Sequence, residues 1–171
     1  MCVNVSIVPC PNYEPDTARK ALAAVLEPLG GLDWVKPGMK IAVKANLVAR
    51  MKPETAAATH PALVTELCRM LTERGAEVVV GDSPGGPFTA AWVGSIYTGT
   101  GMRAVEAAGA QLNSDYSTSE VSFPEGNTVK SFPYTAWLEK ADAVIDFAKL
   151  KTHAMAGMTC AVKNFFGVIP G

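Results

Sequence analysis

Apolar and polar residues alternate over Val3-Asn4-Val5-Ser6-Ile7-Val8, the two-residue period of a strand. Pro9, Pro11 and Pro15 then bar regular structure until a helix opens at Pro15 or Asp16. Leu22, Val25, Leu26 and Leu29 recur at helical spacing, and Gly30-Gly31 ends the run. Met39 to Ala45 reads as a strand with Ile41 and Val43 on one side and Ala42 and Lys44 on the other. After a loop from Leu47 to His60, Pro61 opens a second helix. Its buried stripe is Leu63, Leu67, Met70 and Leu71, and it closes at Gly75. Glu77 to Gly81 is short and almost wholly apolar, as a strand covered on both faces is. A helical stretch runs from about Met102 to Ala108 and stops at Gly109. Residues 113 to 135 form a polar excursion with a weak hairpin, Glu120–Phe123 against Thr128–Phe132. Ala143 to Phe147 is another buried strand, and the chain after Gly157 reads as helical until Gly167.

Strands alternating with helices imply right-handed crossovers and a mainly parallel sheet. The expected class is therefore α/β, three-layer, with helices on both faces of the sheet. A length of 171 residues suits one domain over residues 1–171, large enough to bury a core. The ending, Phe165-Phe166-Gly167-Val168-Ile169-Pro170-Gly171, is apolar, which suggests the N-terminal part of a longer protein. Trp34, Trp92, Trp137, Phe165 and Phe166 read as core rather than as a cofactor platform.

Charge changes the picture by exclusion. With 15 basic and 16 acidic residues the net charge is −1, so no long-range field draws nucleic acid or an anionic membrane. The longest apolar runs are interrupted by Lys44, Asp142 and Asp146, far short of the roughly 20 apolar residues that span a bilayer. The start lacks the basic and apolar regions of a signal peptide, and the expected location is the cytoplasm. Cys2, Cys10, Cys68 and Cys160 form no C-x-x-C pair, so no metal or iron–sulfur cofactor is expected on cysteines. Cys68 reads as a small core residue.

In open α/β sheets, ligands bind beyond the carboxyl ends of the strands. There the chain places Lys44 and Asn46, then Asp82 and Ser83, then Lys149, Lys151 and His153. A lysine within so apolar a strand needs a partner or the strand end; the alternative is snorkelling to solvent. Gly81-Asp82-Ser83-Pro84-Gly85-Gly86 is either an anion nest or a tight turn with Asp82 as a local cap, and no Walker signature follows it. Thr159, Lys163 and Asn164 lie on the expected last helix, with Thr159 and Lys163 on one face. His153 is a candidate proton shuttle or metal ligand, or a structural histidine.

Lys149-Leu150-Lys151-Thr152-His153, Gly157 and Ala161-Val162-Lys163-Asn164-Phe165-Phe166-Gly167-Val168-Ile169-Pro170-Gly171 resemble the signature of the "domain of unknown function 362" family. So do Val43-Lys44-Ala45-Asn46-Leu47, Thr59-His60-Pro61 and Val80-Gly81-Asp82-Ser83-Pro84-Gly85-Gly86. The resemblance implies a redox association, because many relatives carry an iron–sulfur module, and it implies a further C-terminal region. His153, Gly157, Lys163 and Gly167 also bear a fainter likeness to the nickel-pincer lactate racemase family.

The sequence reading is therefore an enzyme-type α/β domain that binds a small carboxylate or phosphate. His153, Asp82 and Lys163 are its catalytic candidates, and Lys44, Asn46, Ser83, Lys151 and Asn164 its ligand contacts. The alternative is a scaffold docking an iron–sulfur module, or an inactive fragment.

Overall fold

A computed structural model describes residues 4–170. Four parallel strands form the main sheet: β1 (Lys40–Ala45), β2 (Glu77–Gly81), β3 (Gln111–Leu112) and β6 (Ala143–Phe147), in the order β3-β2-β1-β6. The longer helices are α1 (Pro15–Leu26), α2 (Pro61–Thr72) and α3 (Ala90–Gly99), with a 3-10 stretch at Met102–Ala108. Two short hairpins complete the strands, β4 (Thr118–Ser122) with β5 (Ser131–Thr135) and β7 (Lys151–His153) with β8 (Gly157–Thr159).

Strand parity decides which face buries what. Ile41, Val43 and Ala45 join Val78 and Val80 in a core that also holds Leu22 of α1, Val64, Leu67 and Leu71 of α2, Val93 and Ile96 of α3, and Met102 and Val105. On the other face Ala42 and Lys44 are level with Val79 and Gly81 on one side and with Val144 and Asp146 on the other. That face is covered by shorter pieces. Trp137, from the 3-10 turn Ala136–Lys140, packs over Gly81, and α4 (Ala161–Asn164) reaches Lys44 and Asp146 through Asn164. The result is the three-layer α/β arrangement, with unequal helical layers.

Several expectations are corrected. Residues 4–8 form no strand, and Val5 and Ile7 are 79% and 90% exposed; Val3 lies outside the described residues. Their alternation finds no partner edge to bond. The hairpin of the excursion runs in a different register, Thr118–Ser122 against Ser131–Thr135. After Gly157 the chain first forms β8, and the helix is only Ala161–Asn164, continued as a 3-10 turn to Val168. Thr159 and Lys163 therefore share no helix. Trp34, Trp92, Phe165 and Phe166 are exposed rather than core, whereas Trp137 is buried. Helix α3 escaped the sequence reading because Gly94, Thr98 and Gly99 weaken it. Val93, Ile96 and Tyr97 nevertheless carry the helical spacing and are all buried.

Cys68 is fully buried, and burial pushes its thiol up to about 12, as a core residue requires. His60 precedes α2, where its Nδ1 accepts from the Ala62 N–H at 3.3 Å, and its ring stacks on Tyr13 with centroids 3.4 Å apart. Partial burial, then the nearby Lys149, lowers its pKa below the ordinary value, against a smaller opposing pull from Glu54. A depressed histidine stabilises the fold above its unfolded pKa of about 6.5, and that contribution is lost as pH falls through the folded value. Urea unfolding at descending pH should therefore show stability falling below about pH 6.5. The fall should shrink in His60→Asn, which keeps a cap acceptor but has no ring to protonate. An unchanged acid-side slope in the variant would assign the effect elsewhere.

Candidate functional site

Three parallel strands deliver their carboxyl ends to one place. Lys44 is completely buried near the end of β1, and its Nζ lies 2.5 Å from Asp82 Oδ1, just past β2. Nζ also donates to the Ala45 carbonyl at 2.8 Å and towards Asn164 Oδ1 at 3.4 Å. Asp82 Oδ2 accepts the Leu47 N–H at 2.7 Å. Burial is the largest influence on Asp82 and pushes its carboxyl above the usual range, with Lys44 pulling the other way. Gly167 closes over this pair. A Cβ there would stand 2.5 Å from Asp82 Oδ1 and 2.8 Å from Lys44 Nζ, a close approach only glycine permits.

The network continues sideways. Asn46 donates to Asn164 Oδ1 at 3.0 Å, and Asn164 donates to Asp146 Oδ1 at 2.6 Å. Lys151 Nζ donates to Asn46 Oδ1 at 2.7 Å and to the Ala57 carbonyl. Thr59 ties the β1 and β6 ends together: its hydroxyl accepts the Asn46 N–H and donates to the Phe147 carbonyl. The sequence reading passed over Thr59 as a site residue, although it stands in the quoted Thr59-His60-Pro61 triplet.

Above this floor lies a cleft of about 310 Å³ lined by Asn46, Asp82, Ser83, Lys151, His153 and Lys163, with Asn164 and Gly167 at its base. The β7–β8 hairpin supplies one wall. Lys151, His153 and Thr159 lie on its cleft side, and Thr152 and Met158 face outward. Lys163 Nζ sits 5.2 Å from the Phe166 ring centroid. Ser83 Oγ, Thr159 Oγ1 and Asp146 Oδ2 are buried with no hydrogen-bond partner among the described residues. Buried polar groups are ordinarily paired, so Ser83 Oγ and Thr159 Oγ1, both on the cleft lining, stand available to a ligand there. A hollow of about 340 Å³ at the amino ends of β1 and β2, lined by Lys40, Glu77, Gln111, Trp137 and Lys140 among others, lies at the opposite edge of the sheet from the one where ligands bind in open α/β folds.

Of the residues singled out in the sequence, Asn46, Asp82, Ser83, Lys151, His153, Lys163 and Asn164 meet at the cleft. Lys44 does not open onto it; it is sealed below and holds Asp82. Asp82 pairs with Lys44 rather than with His153. The Nδ1 of His153 accepts the N–H groups of Met155 and Ala156 at 3.2 and 3.1 Å, which leaves the ring proton on Nε2. In this geometry His153 is a hydrogen-bond donor. Among the described residues no group of three or more His, Cys, Asp and Glu is placed to hold a metal ion.

Fold and cleft together define an α/β domain with a polar, lysine-lined site at the carboxyl edge of a parallel sheet. The chain belongs to the family described as Domain of unknown function (DUF362), whose model matches residues 41–171. It is 32% identical over 177 residues to a thylakoid-associated protein of Synechocystis sp.. That match takes in 100% of this chain and 52% of the relative, so the chain spans about half the length of the curated relative it matches. The likeness to lactate racemases has no counterpart in these matches. No solved structure matches. No helix among the described residues is long and apolar enough to cross a membrane, and the relative's thylakoid association does not confirm the cytoplasmic expectation.

Proposed function

We propose that this chain is an enzyme-type domain that binds a small anionic ligand, a carboxylate or phosphate, at the carboxyl ends of its strands. One observation carries the reading: Lys151 and Lys163 line the cleft, and neither has a carboxylate within ion-pairing distance among the described residues. Lys151 is held by two neutral oxygens, and Lys163 lies over an aromatic ring. A partly buried ammonium without a counter-ion favours an incoming anion. Lys163 supplies charge, and His153 Nε2–H and the Ser83 hydroxyl supply further donors, with Lys151 held beside them by Asn46 and Ala57. Lys44, Asp82, Asn46 and Asn164 form the rigid base that sets their positions. The site therefore needs no net basic protein.

Calorimetric titration with inorganic phosphate and with acetate tests this. Lys163→Ala should weaken binding by a factor of ten or more, about 1.4 kcal/mol. No measurable binding, or unchanged affinity in the variant, overturns the reading.

A second reading, a scaffold that docks a redox partner such as an iron–sulfur module, is favoured by the apolar surface outside the hairpin. Leu150, Met158, Val162 and Phe166 are all exposed there. Anion binding with an unbroken lysine dependence would favour the first reading over this one.

A further inference from the structure

We propose that Lys151 is an amine nucleophile that forms a Schiff base with a small 2-oxo carboxylate held in the cleft. The inference rests on the anion-site reading above and adds a covalent step to it.

The surroundings of Lys151 Nζ accommodate a neutral amine. A neutral amine nitrogen has four tetrahedral directions: its own carbon, two N–H bonds and a lone pair. Asn46 Oδ1, at 2.7 Å, and the Ala57 carbonyl accept two N–H bonds. Both acceptors are uncharged, and no carboxylate stands within ion-pairing distance to hold a third proton. The remaining direction is the lone pair, on a residue that lines the cleft. Partial burial lowers the ammonium pKa, and the charges of Lys149 and Lys163 act the same way, against an opposing pull from Asp82. Lysines are activated as nucleophiles by desolvation beside another cation.

The other wall residues suit the same substrate. Lys163 lacks a carboxylate partner and can take the substrate's own. His153, two residues along the same side of β7, presents Nε2–H as a donor to the carbonyl oxygen. The lone pair of Nζ attacks the carbonyl carbon, and the C=O π pair moves to oxygen. That oxygen takes up the proton released by nitrogen, giving a carbinolamine. The hydroxyl then departs as water, taking the remaining N–H proton, as the nitrogen electrons close the C=N bond of a neutral imine. No oxidant or reductant enters.

The test is trapping of the imine with pyruvate and sodium cyanoborohydride, followed by peptide mapping. Lys151 should carry the reduced carboxyethyl group in excess over the exposed Lys20, Lys36 and Lys52 by about tenfold or more. Lys151→Arg keeps donors for Asn46 and Ala57 but no nucleophilic amine, and should lose that adduct while retaining the unfolding transition of the parent. Phosphate should compete with pyruvate in trapping at Lys151. Labelling spread evenly over the lysines overturns the proposal. So does the absence of an adduct at Lys151 when phosphate binding is intact, which leaves the anion reading standing. An adduct at Lys151 that phosphate does not suppress supports the nucleophile and overturns the anion site.

Discussion

Replacing Lys44 with Met is expected to destabilise the fold by about 3–5 kcal/mol, the largest effect of any substitution at the site. Lys44 is completely buried, and Asp82 is 3% exposed. Removing the ammonium leaves an almost fully buried carboxyl group with only the Leu47 and Ser83 backbone N–H groups to satisfy it. Burial already pushes Asp82 towards its neutral form, and without Lys44 nothing of comparable strength opposes that shift. The double variant Lys44→Met/Asp82→Asn should be clearly more stable than Lys44→Met alone. It carries no buried charge, and its new side-chain amide keeps an acceptor oxygen for the Leu47 N–H. Urea unfolding of the two variants decides the matter. A single variant costing less than about 1 kcal/mol would mean that the pair is solvated in the folded protein.

The second large effect is expected at Gly81, where alanine should cost about 1–3 kcal/mol by overpacking. A Cβ there meets the Trp137 ring at 2.7 Å and Asn113 Cβ at 3.0 Å. Trp137 is itself buried, so its ring cannot swing aside without losing its packing. Gly94, in the middle of α3, provides the contrast. Its nearest neighbour is the Arg103 guanidinium at 4.0 Å, so alanine fits and should stabilise by roughly 0.5–1 kcal/mol. Thermal melts of the two variants should move in opposite directions. Equal shifts would show that glycine's backbone freedom, not the contact with Trp137, governs both.

The sheet was legible because its strands are short apolar runs that end in polar residues. Glu77–Gly81 and Ala143–Phe147 coincide with their expected bounds, and Ile41 and Ala42 face the sides their parity assigns. Ala143–Phe147 is, however, a half-exposed edge strand with Val144 open to solvent, not the buried strand its apolar run suggested. Periodicity failed where a second condition was needed. Val5 and Ile7 alternate correctly but have no strand to pair with, and pairing is not written in local pattern. The last segment failed for a related reason. Gly157 has a positive φ of 72°, which turns the chain into a hairpin where the sequence suggested a helix. Lys151 and His153 then reach the cleft from a strand rather than a turn.

At the site, the residues beyond each strand were readable from position alone, because a parallel sheet sends every carboxyl end to one edge. Their division of labour was not. Lys44 and Lys151 are both lysines near strand ends, yet one is sealed against a carboxylate and the other opens onto the cleft. Only the packing of Gly167 and Asn164 separates them. Val48 gives a further sign invisible in sequence. This β-branched residue lines the cleft with a φ of 57°, a strained conformation fixed just after the Leu47 N–H that Asp82 holds.

The bonds that join Asn164 to Lys44 and Asn46 span 120 and 118 residues, and the Lys151–Asn46 bond spans 105. Contacts of that separation close long loops, which is slow and entropically costly. The helical core around α2 can consolidate first, with the cleft wall from Lys151 to Val168 closing onto it afterwards. That wall buries only Thr159 and Asn164 below a tenth of their surface, so it is also the part most able to open while the core stays folded. Amide exchange should therefore be faster across Lys151–Val168 than in α2, and a ligand bridging the cleft should slow it there selectively.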